Sequence, residues 1–209
     1  MHEAVIWCSA TNLFCLFPTY LAYKKKLDEW VLYLITGIVS VLYHIHHRDV
    51  YTQPMCNFLD YKAIRMIDLV LSDMSICTIT ASLVNKDIHV MSFFVFLPID
   101  MYAVYINNDT ARWVLYGIWI SVALLYTFFN YKKYHAKYLG FGIASSVSEL
   151  FFYKILPDRY PWYYNWIHSF HHIFGFVGIY FYERSHRGGV LETSGLPRHT
   201  RIPSVEFNL

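Results

Sequence analysis

Residues 61–83, YKAIRMIDLVLSDMSICTITASL, are apolar over most of their length yet carry Asp68 and Asp73 in the interior. About 20 mostly apolar residues are what an α-helix needs to cross the hydrocarbon of a bilayer. An ionisable side chain at that depth is costly, so Asp68 must have a partner or a cavity, and functional use is its default reading. Similar runs lie on both sides, at residues 4–23, 29–46, 88–106, 113–130, 139–156 and 163–182, separated by short charged segments. With 56% hydrophobic and 15% charged residues, the 209-residue chain has too few charges to cover a soluble globule. The pattern predicts an all-α polytopic membrane protein, a seven-transmembrane helix bundle that occupies residues 1–182 as one domain. Residues 183–209, with Gly188, Gly189, Pro197 and Pro203, read as a flexible cytoplasmic tail.

Charge placement sets the orientation. The first run has no Lys or Arg before it, and Lys24, Lys25 and Lys26 follow it, which reads as a retained span rather than a signal peptide. From an outer N-terminus, alternate connections bring Lys24 to Lys26, Lys86, Lys132, Lys133, Lys137, Arg184, Arg187, Arg198 and Arg201 inside, eleven of the 17 Lys and Arg residues. An odd number of spans is required to keep the basic tail inside, so the N-terminus is expected outside and the C-terminus in the cytoplasm. The net charge of +2 is small, and no nucleic-acid partner is expected. Asn108-Asp109-Thr110 matches a glycosylation sequon in a very short outer loop. The four cysteines form no C-x-x-C pair, and the one pairing considered joins Cys56, in an outer loop, to Cys8.

Polar residues inside the runs are few. Ser40 and His44 are four apart, on one helical face near the outer end of the second run, and His168 and His172 repeat that spacing in the seventh. Two histidines at i and i+4 can grip one metal ion from a single helix, and a third from another helix completes a tripod with one open position. Asp68 reaches a similar depth, within a layer roughly 10 Å thick. The expectation is a zinc site with His44, His168 and His172 as ligands. Asp68 is then a fourth ligand, an acceptor for a ligand imidazole, or a base for a water in the open position, and Ser40 is a hydrogen-bond donor. Such a set suits hydrolysis of a lipid ester or amide. Asp60 and Asp73 compete with Asp68 by position. Glu149, near the small residues Gly140, Gly142, Ala144, Ser145 and Ser146, is read as structural, facing the cavity or pairing with Lys154. Asp100, after Pro98, is read as a packing residue.

The segments Ser40-x-x-x-His44, Met66-Ile67-Asp68 with Ser72, and Asn165-x-x-His168-Ser169-x-His171-His172 resemble the three motifs of the CREST superfamily, seven-helix proteins with an intramembrane zinc site that include alkaline ceramidases and adiponectin-type receptors. The last motif is similar to the branch that contains myomaker and a GPI-processing phospholipase. The resemblance covers all seven runs, and the compact size is that of the myomaker-type members, because the phospholipase type carries a large extracellular region ahead of its helices. It implies a multi-pass plasma-membrane protein that promotes myoblast fusion, acts as a homodimer, meets membrane lipids and works with a small fusogenic membrane partner. The absence of Cys from residues 183–209 departs from the palmitoylatable tail of vertebrate members and suggests an invertebrate one. Three functions follow: a fusion factor whose zinc is structural, a zinc-dependent lipid hydrolase of ceramidase or phospholipase type, and a module that holds a lipid between its helices.

Overall fold

The structure is a computed structural model that describes residues 2–25, 27–46, 61–84, 86–106, 108–160 and 163–186. Among the described residues there is no strand, and each apolar run lies in helix apart from a residue or two at its ends. Helix α1, His2–Thr11, continues through a 3-10 turn, Asn12–Cys15, into α2, Leu16–Lys24. Then come α3, Glu29–His46, α4, Tyr61–Val84, α5, Lys86–Tyr105, and α6, Asp109–Phe129. Helix α7, Ala136–Leu150, passes through a π turn, Phe151–Ile155, into α8, Leu156–Arg159, and α9 spans Tyr164–Ser185. The π turn has a local cause. Pro157 lacks an N–H, and its ring would strike the carbonyl four residues back in a regular helix, so the chain widens just before it.

Helices suit such sequences because every interior backbone group is satisfied within its own segment. Buried hydroxyls follow the same logic. Thr36 donates to the Leu32 carbonyl at 2.8 Å, Thr80 to Ile76 at 2.7 Å and Thr127 to Ala123 at 2.7 Å, each one turn back. The polar residues of α3 and α4 also tie the helices to each other, with Thr36 Oγ1 and Ser75 Oγ 2.9 Å apart. Trp119 on α6 donates to the Cys77 carbonyl of α4 at 3.1 Å.

Helix α9 packs against α1, α2 and α7, while α4 packs against α3, α5 and α6. The polarity of the bundle is inverted relative to a water-soluble protein. Ser40, Asp68, Asp73, Asp100 and Arg112 are buried, whereas Phe94, Phe128 and Phe129 are more than 70% exposed. That distribution fits a bundle solvated by lipid. Two helices, Lys62–Val84 and Thr110–Phe129, are long and apolar enough to cross a membrane, and Glu29–Ile45 and Phe94–Tyr105 are shorter apolar helices.

Close approach of α3 to the 3-10 turn requires Gly37. A Cβ there would lie 2.2 Å from Cys15 Sγ and 3.3 Å from the Asn12 carbonyl oxygen. Gly37→Ala is expected to cost about 1–3 kcal/mol, seen as an earlier thermal transition in detergent; an unchanged transition would mean that the helices separate freely. Between α7 and α9 the small residues divide. Gly142 meets the Tyr182 ring and Ser145 meets Gly178, but Gly140 has open space beside it, so only one face of that stretch serves packing.

The far end of the bundle differs from expectation. Helix α9 runs to Ser185, three residues past the expected end of the seventh run, with Glu183 and Ser185 buried. Lys25 donates to the Glu183 carbonyl and pairs with its carboxylate at 3.5 Å, and Tyr33 donates to Glu183 Oε1 at 3.3 Å. His135 N donates to the Ser185 carbonyl at 2.6 Å, and the buried Tyr134 hydroxyl donates to the Leu83 carbonyl. Residues 187–209 lie outside the described residues.

Candidate metal centre

At the opposite end, four helices present polar side chains to one small volume. The i, i+4 spacing of α3 carries Ser40 and His44 inward, 1% and 6% exposed, and that of α9 carries His168 and His172 to face them, 6% and 9% exposed. His44 Nε2 and His172 Nε2 are 2.8 Å apart. The His168 ring centre lies 4.6 Å from that of His172 and 5.1 Å from that of His44. The structure thus brings the His44 and His172 donor atoms together and sets the His168 ring beside them.

The structure adds Cys8, which the sequence pattern offers only as a disulfide partner for Cys56. Its Sγ lies 3.7 Å from His44 Nδ1, and donor atoms of Cys8, His44 and His172 all fall within 4.8 Å of one another. Local structure holds it there. The Cys8 carbonyl accepts from both Thr11 Oγ1 at 2.7 Å and Asn12 Nδ2 at 3.1 Å, and these bonds fix the inner turn of α1 beneath the thiol. Among the described residues Cys8, Cys15 and Cys77 form no disulfide, and Cys56 lies outside them.

Asp68 on α4 is 7% exposed and lies within electrostatic reach of Cys8. Ser40 faces it, yet Ser40 Oγ and Asp68 Oδ1 are both buried without a hydrogen-bond partner of normal geometry among the described residues. Two orphaned oxygens beside a cluster of imidazoles and a thiol are what a metal centre with room for a further group leaves behind. The donor set therefore fits a metal ion. Aromatic rings close the rim. Tyr164 stacks on His168 at 5.1 Å, Tyr153, carried by the π turn, lies 4.8 Å from the His171 ring, and Trp7 of α1 meets Trp166 of α9 at 6.2 Å.

Glu149 does not pair with Lys154. Its Oε1 is 3.7 Å from His171 Nδ1 and packs on Gly175, where a Cβ would come within 2.9 Å. The His171 ring thus lies 5.1 Å from that of His168 and 5.2 Å from that of His172 while its Nδ1 faces Glu149 of α7.

Residues 1–173 match the family model described as "Protein of unknown function (DUF3522)". The chain belongs to the DUF3522 family. The matched segment contains Cys8, Ser40, His44, Asp68, His168 and His172, so the whole polar cluster of this DUF3522 chain lies within its family region. Neither a curated protein nor a solved structure matches it significantly.

In this DUF3522 chain Cys8 had only a weak sequence signal, since a lone Cys in an apolar run is ordinarily a small core residue. Its position one turn before the Thr11-Asn12 pair is recognisable only once α1 is known to pack on α3 and α9.

Proposed function

We propose that this chain is a seven-span plasma-membrane protein, N-terminus outside, that promotes cell–cell fusion of the myoblast type and is held together by a zinc ion near its outer face. The observation that carries this reading is the donor set of Cys8, His44 and His172 on α1, α3 and α9, with the His168 ring 4.6 Å from that of His172. Sulfur and imidazole together favour zinc. When bound, zinc supplies a tie among three helices that are distant in sequence. The resemblance of the motifs at Ser40 to His44, Met66 to Asp68 and Asn165 to His172 to the CREST superfamily supports both the membrane topology and the fusion role. It also supports a homodimer that works with a small fusogenic membrane partner.

The test is cell mixing. Non-fusing cells that express the chain together with a small fusogenic partner are expected to form multinucleate cells, and His44→Ala is expected to reduce them to background. Absence of fusion with the wild-type chain overturns the reading.

A second reading, a zinc-dependent lipid hydrolase, is favoured by the orphaned oxygens of Ser40 and Asp68 beside the cluster. There zinc supplies Lewis acidity, Asp68 accepts a proton from water and Ser40 donates a hydrogen bond to the substrate. Asp68→Asn separates the two. It abolishes turnover of ceramide, phospholipid or GPI lipid with zinc retained if the chain is a hydrolase, and leaves fusion nearly intact if zinc is structural.

A further inference from the structure

The connection from α6 to α7 carries charge of one sign only. Residues 110–148 hold no Asp or Glu, yet contain Arg112, Lys132, Lys133 and Lys137. Arg112 is committed inside the bundle, where its Nε donates to Asp73 Oδ2 at 2.9 Å. The three lysines are exposed, on the 3-10 turn Tyr131–Lys133 and on the first turn of α7. Other turns on that side of the bundle differ, since Lys24 to Lys26 are followed by Asp28 and Glu29, and Lys86 by Asp87. A bias of Lys and Arg toward the cytoplasm accounts for the cations of all three turns. It does not account for the exclusion of carboxylates from one of them.

The end of α9 adds a fourth cation. His135 N donates to the Ser185 carbonyl at 2.6 Å, and Tyr134 forms an antiparallel bridge with His186, so the α6–α7 connection and the end of α9 make one corner. Arg184 is exposed there, with its guanidinium 5.1 Å from the Tyr138 ring centre and Nη1 donating to the Tyr180 hydroxyl at 2.9 Å. Lys133 is held in a similar way, its Nζ donating to the Tyr126 hydroxyl at 3.2 Å. Glu183 turns inward, 3.5 Å from Lys25. None of Lys132, Lys133, Lys137 and Arg184 pairs with a carboxylate among the described residues. One turn back on α6, Phe128 and Phe129 are exposed.

We propose that this corner binds the headgroup of an inner-leaflet phospholipid that carries phosphate monoesters, of the phosphoinositide class, with an acyl chain along Phe128 and Phe129. A headgroup of one net charge meets only one of the four cations, whereas each phosphate monoester brings a charge of about −1.5 to −2. The tyrosine contacts hold Arg184 and Lys133 in place before the lipid arrives, which lowers the ordering cost of binding. The cytoplasmic placement of the corner rests on the proposed orientation, N-terminus outside. The site is independent of the metal centre, since none of its residues belongs to the histidine cluster.

The experiment titrates the full chain in detergent with dioctanoyl phosphatidylinositol bisphosphate at fixed ionic strength and counts adducts by native mass spectrometry. A saturable one-to-one adduct is expected, at least tenfold tighter than with dioctanoyl phosphatidylserine or with soluble inositol trisphosphate. At about fivefold per charge, the triple variant Lys132→Gln, Lys133→Gln and Lys137→Gln is expected to weaken it about a hundredfold, and Arg184→Gln about fivefold. Lys24→Gln, a surface cation outside the corner, is expected to change nothing. Failure to exceed a phosphatidylcholine background, equal affinity for phosphatidylserine or for the headgroup alone, or an equal loss in Lys24→Gln overturns the proposal. Orientation is read separately, from labelling of Lys137→Cys by an impermeant maleimide. Label gained over the wild type only after permeabilisation is expected, and label gained on intact cells overturns the cytoplasmic placement while the micelle titration still reports the headgroup site.

Discussion

His172→Ala is expected to strip the zinc and to lower the midpoint of thermal unfolding in detergent by about 8–16 °C. His172 is the hub of the donor set, with its Nε2 2.8 Å from His44 and its ring in contact with that of His168. Removing it leaves α9 with one imidazole and opens a cavity where the ring was. A thousandfold loss of affinity, at metal concentrations well above the dissociation constant, corresponds to about 4 kcal/mol of linked stability. For a chain of this size each kcal/mol moves the midpoint by about 2–4 °C. Cys8→Ser is the informative partner, because a hydroxyl is a poor zinc ligand but the His44 and His172 imidazoles remain. Zinc should stay, more weakly bound. Elemental analysis of purified protein reads both variants, and a full equivalent of zinc in His172→Ala would end the metal-centre reading.

The second large effect is expected at Arg112. Arg112→Met preserves length and apolar volume but leaves Asp73 and Asp100 buried together without a countercharge. Breaking a buried pair by removal of one partner costs about 3–5 kcal/mol, because the remaining charge stays uncompensated. The variant should be poorly delivered to the cell surface and should unfold early in detergent. Combining it with Asp73→Asn and Asp100→Asn should recover most of the loss, since a neutral cluster of the same shape needs no guanidinium. If the triple variant is as unstable as Arg112→Met alone, the cost lies in packing of the Arg112 stem rather than in charge.

The helices were legible because their signal is long and redundant. A run such as 61–83 fixes its own type, and its ends follow from flanking charge. The histidines were legible for a different reason, since i, i+4 spacing repeated on two runs is a geometric statement before any fold is known. What stayed hidden depended on which helices touch. Cys8 has no spacing partner and becomes a donor only when α1 lies against α3 and α9. Arg112 sits at the head of an apolar run, where a cation is ordinarily interfacial, and only the packing of α6 on α4 brings it to Asp73. Asp73 was then weighed as a rival to Asp68, although the two serve different neighbours from different faces of one helix. The end of α9 was placed early because Glu183 and Arg184 look like the start of a charged tail. The latch formed by Lys25 and Tyr33 draws Glu183 into the bundle.

The wide separation of the clustered donors in sequence bears on how the protein is made. His44 and His172 are 128 residues apart, and Cys8 lies further toward the N-terminus. A nascent chain that has inserted α1 to α7 holds one half of the centre and has nothing to close it with. On the proposed reading, metal capture waits until α9 is in place and the Lys25 to Glu183 latch can form at the other end of the same helix. Ion uptake would then report that synthesis has passed α9, and a chain stalled or cut before α9 would remain open, metal-free and available to quality control.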